Sequence, residues 1–234
     1  MDIPSTLVLV RHGESERNVA KAGRAFFTDD QARQGHRGVA DHRIPLTDAG
    51  HQQAQLTGQA LRKRFGSFDQ VFHSGYVRTI ETMKGLLSVY NDDERARINI
   101  DANLFIRERD TGHAYDMTEA ENSEAFPYMH EYWTTAGPFF AHPPGGESIA
   151  QVAQRVQLFL DMLCRNHRGE RVLVVTHAGT LRAFRFLLEG WSYDEADRWL
   201  SEYPPPKNCS VTTYTADNHG KRLALQDHHR VYWT

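Results

Sequence analysis

His12 and His177 each stand directly behind a short apolar run, Leu7-Val8-Leu9-Val10-Arg11 and Val172-Leu173-Val174-Val175-Thr176. Unbroken Val/Leu runs of that length read as strands buried on both faces, as in a parallel sheet. Both imidazoles then lie at carboxyl ends of strands, where open α/β sheets hold their ligands. Small residues follow each one, Gly13 in the first case and Ala178-Gly179 in the second, and then a segment able to open a helix. Gly13 lets backbone come close to a ligand, and the N–H groups of a helix starting near Glu14 favour a phosphate. Arg11 beside His12 needs an anion or water. A neutral imidazole is nucleophilic near pH 7, and displacement at phosphorus asks a protein mainly for positioning and charge neutralisation. Taken alone, Arg-His-Gly fits a structural histidine better; two strand-end histidines can converge on one site. A metal pair is the competing chemistry, but a catalytic zinc takes a third protein ligand at short spacings such as HExxH, and neither histidine has such a neighbour. No metal and no cofactor is expected.

The elements that must position these groups are legible in outline. Thr47 is placed to cap a helix running through Ala54, Leu61 and Phe65. Phe68–His73 reads as a third strand, followed by a helix from Val77 to about Val89. Ser148 precedes Ile149, Val152, Val156, Phe159, Leu160 and Leu163, an apolar stripe at helical spacing. A fourth helix should follow His177, and Val211–Thr215 and Leu223–Gln226 read as late strands. Strands alternating with helices predict a three-layer α/β/α sandwich with a mainly parallel central sheet. One domain over residues 1–234 is expected, with insertions near 19–46 and 108–147 that break the rhythm. Such insertions serve as functional loops or as simple surface excursions.

Composition narrows the class. The chain has 234 residues, with 27 basic against 30 acidic side chains. That balance offers no basic face to nucleic acid or to an anionic membrane. Two cysteines, Cys164 and Cys209, without a CxxC pattern suit a reducing cytoplasm. The start of the chain lacks the basic and apolar regions of a signal peptide, and no apolar run is long enough to span a bilayer. The expected partner is a small phosphorylated substrate, with the protein a monomer or homodimer.

Leu7–Asn18, ending Arg11-His12-Gly13-Glu14-Ser15-Glu16-Arg17-Asn18, resembles the opening motif of the histidine phosphatase superfamily, in the branch that holds phosphoglycerate mutases and related phosphatases. The resemblance continues in Pro45-Leu46-Thr47-Asp48-Ala49-Gly50, in Ser74–Thr82 and in Arg107-Glu108-Arg109-Asp110-Thr111-Gly112. It recurs in Pro144-Gly145-Gly146-Glu147-Ser148, at His177-Ala178-Gly179 and in Asn208-Cys209-Ser210-Val211. It implies a phosphoglycerate mutase-like fold and a role for each matching position. His12 is then the nucleophile, Arg11 and Arg78 bind phosphate, and His177 is the second pocket histidine. Glu108, in a Glu-x-x-x-Gly setting with Gly112, is the proton donor and acceptor. Ser15 and Asn18 lie near the phosphate. Read without the resemblance, Arg78 is an ordinary helix residue and Glu108 a surface acid flanked by Arg107 and Arg109.

Arg43, in a basic stretch at 21–43, and Arg107 are candidates for a substrate rim. Three activities fit the resemblance: a phosphomonoester phosphatase with a phosphohistidine on His12, a cofactor-dependent phosphoglycerate mutase-type phosphotransferase, and a non-catalytic phospho-ligand binder. The binder is disfavoured because His12, Arg11, Arg78, Glu108 and His177 are all present. The mutase pattern Phe-Thr-Gly-Trp is absent, since the corresponding segment reads Phe26-Phe27-Thr28-Asp29-Asp30. Thr111-Gly112-His113-Ala114 likewise replaces the Tyr-Gly-x-Leu of mutases, so hydrolysis is the favoured reading.

Arginines and histidine take the charge-neutralising part that Mg²⁺ plays in other phosphoryl-transfer enzymes. Phosphate release should therefore survive EDTA at full rate. Loss of activity in EDTA with recovery on adding a divalent metal would contradict that assignment.

Overall fold

Six strands form a single sheet in the order β3-β2-β4-β1-β5-β6 in the computed structural model, which describes residues 3–234. They are β1 (Thr6–Arg11), β2 (Gln70–His73), β3 (Asn99–Ala102), β4 (Arg171–Thr176), β5 (Val211–Ala216) and β6 (Leu223–Arg230). The first four run parallel to one another, while β5 and β6 are antiparallel additions on one side. The helices in chain order are α1 (Glu16–Ala20), α2 (Asp30–Arg33), α3 (Asp48–Phe65), α4 (Val77–Leu87) and α5 (Asp92–Ala96). They continue with α6 (Glu119–Ala125), α7 (Met129–Phe140), α8 (Ile149–Asn166), α9 (Ala178–Glu189) and α10 (Tyr193–Glu202).

Side-chain alternation along the central strands divides the core into two layers. Leu7, Leu9, Val172 and Val174 face one way and meet Val152, Val156, Phe159 and Leu163 of α8 and Leu181 and Phe184 of α9. Val8, Val10, Leu173 and Val175 face the other way, against Leu61 of α3 and Met83, Leu86 and Leu87 of α4. All eight strand residues are essentially inaccessible to solvent. Burial on both faces is why these strands read as continuous apolar runs and not as alternating ones. The three-layer, mainly parallel architecture expected from the sequence is the one observed.

Boundaries follow the caps. Thr47 caps α3 through the Gly50 N–H, and Ser148 caps α8 in a reciprocal capping box with Gln151. The strand read from Phe68–His73 is β2 and begins at Gln70, two residues later than the apolar pattern implies, and the last strand continues to Arg230. β3 has no apolar signature because it is an edge strand exposed along its whole length. α10 buries only Ala196 among its own residues, which leaves little stripe to read. Cys164, whose place beside Leu160 and Leu163 reads as core, is only half-buried, at the margin of the α8 stripe.

The two insertions come together. Phe27 is fully buried and makes an isolated bridge with Thr118. Arg33 donates to Glu121 at 2.6 and 2.9 Å and to the Asp116 carbonyl at 2.9 Å. Segments 19–46 and 108–147 are therefore joined to each other as well as to the sheet. No helix among the described residues is long and apolar enough to cross a membrane.

Phe159 is the centre of the larger core layer. Its ring meets Phe72 edge-on at 5.2 Å and Phe184 at 5.8 Å. Phe159→Ala should cost about 3–5 kcal/mol through lost burial and the cavity left behind. Urea denaturation should show this as a lower midpoint; an unchanged midpoint would mean that the two helices on this face are not held through this ring.

Candidate active site

The loop after β1 is clamped from two sides. The Gly13 N–H donates to Thr82 Oγ1 on α4 at 2.9 Å, and the Glu14 N–H donates to Gln53 Oε1 on α3 at 2.9 Å. The start of α3 presses on the same loop. A Cβ on Gly50 would lie 2.1 Å from the Glu14 carbonyl oxygen, and one on Gly13 would lie 2.6 Å from the Gly50 carbonyl oxygen. Neither approach leaves room for a side chain. From the other direction Asn208 donates to the carbonyls of His12 and Gly13, each at 3.1 Å. Arg11 continues β1, and one Nη of its guanidinium donates to the Pro206 carbonyl.

In that loop His12 Nδ1 lies 2.7 Å from the Gly13 carbonyl oxygen. A carbonyl only accepts, so Nδ1 carries the proton and Nε2 presents its lone pair. Burial, helped by Arg78 and Arg11, holds the His12 imidazolium well below its usual pKa, and the Gly13 contact opposes this only in part. His12 is therefore a neutral, oriented imidazole at pH 7, the protonation state that attack on an electrophile requires.

His177 sits beside it, with ring centroids 5.2 Å apart. His177 Nε2 is 2.8 Å from Ser74 Oγ. Thr79 Oγ1 gives its hydrogen to the Tyr76 carbonyl at 2.8 Å and lies 3.0 Å from Ser74 Oγ. Ser74 thus donates to Thr79 and accepts from His177 Nε2–H. His177 Nδ1 is buried without a protein hydrogen-bond partner. It can donate to a phosphoryl oxygen only by taking up a proton. Burial first, then Arg78, His12 and Arg11, keep His177 neutral until such an anion arrives.

Arg78 is buried on the first turn of α4 and is held by Asp41, through the carbonyl at 2.6 Å and the carboxylate at 2.9 and 3.2 Å. Glu108 lies across from it in a cavity of 430 Å³ that also includes Arg17, Lys21, Arg107 and Tyr115. Its Oε1 accepts from the Gly179 N–H at 3.1 Å and the Arg109 N–H at 2.8 Å, and neither contact engages Oε2. The backbone before Glu108 is fixed by Arg155 of α8, which donates to the carbonyls of Phe105, Arg107 and Glu108 at 2.6, 2.8 and 3.0 Å. Thr176 and Thr180 bind the carbonyls of Ile106 and Arg107.

The structure thus brings His12, Arg11, Arg78, Glu108 and His177 to one end of the sheet. Ser15 caps α1 and bonds Asn18 at 3.0 Å, so its hydroxyl is committed to shaping the loop. Asn18 Oδ1 is taken by Ser15 and Asn208, and Asn18 lines a second cavity of 820 Å³ together with Arg11, Lys207 and Trp233. Arg107 borders the first cavity and pairs with Glu147 at 3.1 Å. Arg43 does not join it: the side chain is exposed, and its neighbours Asp41 and His42 line the cavity instead. Sequence reasoning gave no role to Asp41, Ser74, Arg155 or Asn208. Arg155 left one signal, a charged residue inside the apolar stripe of α8.

Two buried neutral histidines make stability depend on pH. Both folded-state pKa values lie below 6.5, so between 6.5 and the folded values the unfolded chain binds protons that the folded chain refuses. Stability should therefore fall as pH drops below about 6.5. Added phosphate should reduce the loss, because it favours the charged form of His177. Melting curves across pH 8 to 5 should be shallower for His177→Gln than for the native protein; parallel curves would show that His177 is not held neutral.

Comparison with known proteins accords with this geometry. The family model of the histidine phosphatase superfamily (branch 1) matches residues 7–228. A 2,3-bisphosphoglycerate-dependent phosphoglycerate mutase of Rhizobium etli is 33% identical over 184 residues, covering 77% of this chain and 78% of that one. Phosphoglycerate mutase-like protein 4 of Arabidopsis thaliana is 30% identical, covering 76% of this chain and 68% of its own. Among solved structures, Bacillus stearothermophilus YhfR superposes with a TM-score of 0.74 at 24% identity, covering 97% of this chain and 98% of that one. A mycobacterial glucosyl-3-phosphoglycerate phosphatase complexed with VO3 superposes with a TM-score of 0.69 at 22% identity, covering 95% and 96%. The shared fold, and a family match that runs from β1 into β6, mean that the chain belongs to branch 1 of the histidine phosphatase superfamily.

Proposed function

We propose that the protein is a phosphomonoester phosphatase that works through a phosphohistidine on His12. The observation that carries this reading is the 2.7 Å contact from His12 Nδ1 to the Gly13 carbonyl, which leaves Nε2 as the free nucleophilic nitrogen. In the first step Nε2 attacks phosphorus, a P–N bond forms, and the ester P–O bond breaks as Glu108 gives its proton to the leaving oxygen. In the second step the Glu108 carboxylate takes a proton from water, the water oxygen bonds to phosphorus, and the P–N bond breaks. Inorganic phosphate leaves, and His12 and Glu108 return to their starting states. Arg11, Arg78 and His177 supply donors to the non-bridging oxygens, where the bidentate geometry of arginine suits a phosphoryl group. The Asn18 amide N–H₂ adds another. No divalent ion is needed in this scheme, and the partner is a small phosphorylated ester.

Two features favour water over a second phospho-acceptor. Asp29, in the segment where mutases carry Phe-Thr-Gly-Trp, is spent on capping α2, its carboxylate accepting from the Ala32 N–H, and the Thr28 hydroxyl donates to that carboxylate at 3.1 Å. Beside Arg109 and Thr111 there is also a 380 Å³ recess whose lining includes Phe26, Phe126, Met129 and Trp133. Apolar walls of that kind suit a leaving group larger and less polar than glycerate. The mutase reading is favoured by the names of the relatives near 30% identity, so the test must separate the two.

His12→Ala should abolish turnover with the fold retained. Glu108→Gln should slow cleavage of an alkyl phosphate by ~10²–10⁴, and should slow a nitrophenyl ester far less, because nitrophenolate leaves without a proton. Rapid quench should trap an acid-labile, base-stable phosphoenzyme mapping to His12. Label on serine or aspartate would overturn the mechanism. Interconversion of 2- and 3-phosphoglycerate without phosphate release would replace the phosphatase by the mutase.

A further inference from the structure

Arg78 is assigned to the phosphoryl group, yet both of its terminal nitrogens are held by Asp41. Nη1 donates to the Asp41 carbonyl at 2.6 Å and to Oδ1 at 3.2 Å, and Nη2 donates to Oδ2 at 2.9 Å. This is the forked pairing that an arginine also offers to a phosphate. A carboxylate so placed neutralises the guanidinium and repels a phosphoryl dianion brought beside it. The two anions therefore compete for one cation.

The same carboxylate faces a second guanidinium. Arg17 Nη1 lies 3.8 Å from Asp41 Oδ1, just beyond hydrogen-bond range. The Arg17 side chain is only 9% exposed, and none of its three guanidinium nitrogens has a hydrogen-bond partner. The Tyr115 ring, centred 3.7 Å from the guanidinium carbon, holds it in place. Buried donors left unused are costly. A shift of Oδ1 by about 1 Å toward Arg17 would make a normal N–H···O contact. The chain around Asp41 can give that shift. Asp41 opens a single 3₁₀ turn, Asp41–Arg43, that has no side-chain cap. No residue from Arg37 to Arg43 is buried. The turn is tethered only at its flanks, by the Tyr115 hydroxyl donating to the Val39 carbonyl at 2.6 Å and by buried Ile44. Segments with few buried contacts rearrange at low cost.

We propose that Asp41 is a transferable counter-ion, which pairs with Arg78 before phosphate binds and passes to Arg17 when a phosphoryl group takes Arg78. Arg17 then gains its hydrogen bonds as Arg78 changes partner, and this offsets the loss of the Arg78–Asp41 pair. Asp41 touches no reacting atom; it is a positioning residue that acts through Arg78. With Arg17 completed from within the protein, the exchange asks for no second acidic group on the substrate. When phosphate leaves, the return of the carboxylate to Arg78 opposes rebinding, so Asp41 limits product retention. That last role rests on the phosphatase reading, whereas the exchange itself concerns only the binding of phosphate.

Calorimetric titration of the intact protein with inorganic phosphate tests the exchange without turnover. Asp41→Asn and Asp41→Ala should each bind phosphate more tightly than the native protein, by roughly ten- to hundredfold, because the competing charge is gone. Arg17→Leu should bind it more weakly, by roughly tenfold, because the displaced carboxylate has no second partner. In the double variant with Asp41→Asn and Arg17→Leu, that weakening should disappear, since the two residues act on one another. A carboxylate that only braces Arg78 gives the opposite sign. Unchanged or weaker phosphate binding in Asp41 variants that still melt cooperatively would therefore overturn the exchange. So would an Arg17→Leu weakening that persists in full in the double variant. With nitrophenyl phosphate as substrate, inhibition by product phosphate should tighten in the Asp41 variants by the same factor as binding. Tighter phosphate binding in a protein that hydrolyses no ester would keep the exchange and sink the phosphatase reading instead.

Discussion

The contact between His12 Nδ1 and the Gly13 carbonyl, 2.7 Å long, fixes which imidazole nitrogen is free, and most of the surrounding structure serves to hold it. The carbonyl is positioned because the loop after β1 is gripped by Thr82, Gln53 and Asn208, and because Gly13 and Gly50 let the start of α3 come into backbone contact. Those grips come from α3, α4 and the segment before β5, elements far apart in sequence. They converge because β1 lies between β4 and β5 at the centre of the sheet. The two-layer core therefore does more than stabilise: it brings the clamps together on one loop.

A second constraint is charge. Arg11, Arg17 and Arg78, with Lys21, crowd one end of the sheet, and burial lowers the pKa of Arg11 and Arg17 from the ordinary arginine value. Burial first, and the same field second, keep both histidines neutral. The carboxylate of Asp41, bound to Arg78, supplies part of the balancing negative charge. The 19–46 insertion thus reaches the site through Asp41 and Lys21, and through the join of Phe27 and Arg33 to the 108–147 insertion. What reads in the sequence as a mixed-charge loop is the wall that balances a cluster of cations.

The fold was legible where burial is complete and obscure where it is partial. β1, β4, α3 and α8 announce themselves because fully buried faces demand unbroken apolar patterns, and because Thr47 and Ser148 are strong caps. β3 and α10 bury too little to leave a pattern. The site divides in the same way. His12 and His177 were readable from local context, as small residues after buried strands. Glu108 and Arg78 were visible only through resemblance, since each looks like a surface residue within its own segment. Arg43 was read from composition alone, and its exposed position shows that a basic stretch does not say which of its cations turns inward; Lys21 does. Asp41, Ser74 and Arg155 act through partners 37, 103 and about fifty residues away, and no local pattern carries such a pairing.

Arg155 shows why such residues matter to the chemistry although they touch no reacting atom. Its guanidinium binds the backbone carbonyls of Phe105, Arg107 and Glu108 and is itself held by Glu147, whose carboxylate accepts at 2.9 and 3.0 Å. The Glu147 carboxyl stays below its usual pKa because Arg155 and the Asp110 N–H outweigh the opposing effect of burial. Glu147 also pairs with Arg107 and accepts from Asp110, so one carboxylate secures both flanks of the proton-transferring residue. Proton transfer depends on placing the donor within hydrogen-bond reach of the leaving oxygen. A carboxylate on a loop gains that precision only when the loop's carbonyls are bound to a rigid element, and α8, whose inner face is buried from Ile149 to Leu163, is that element.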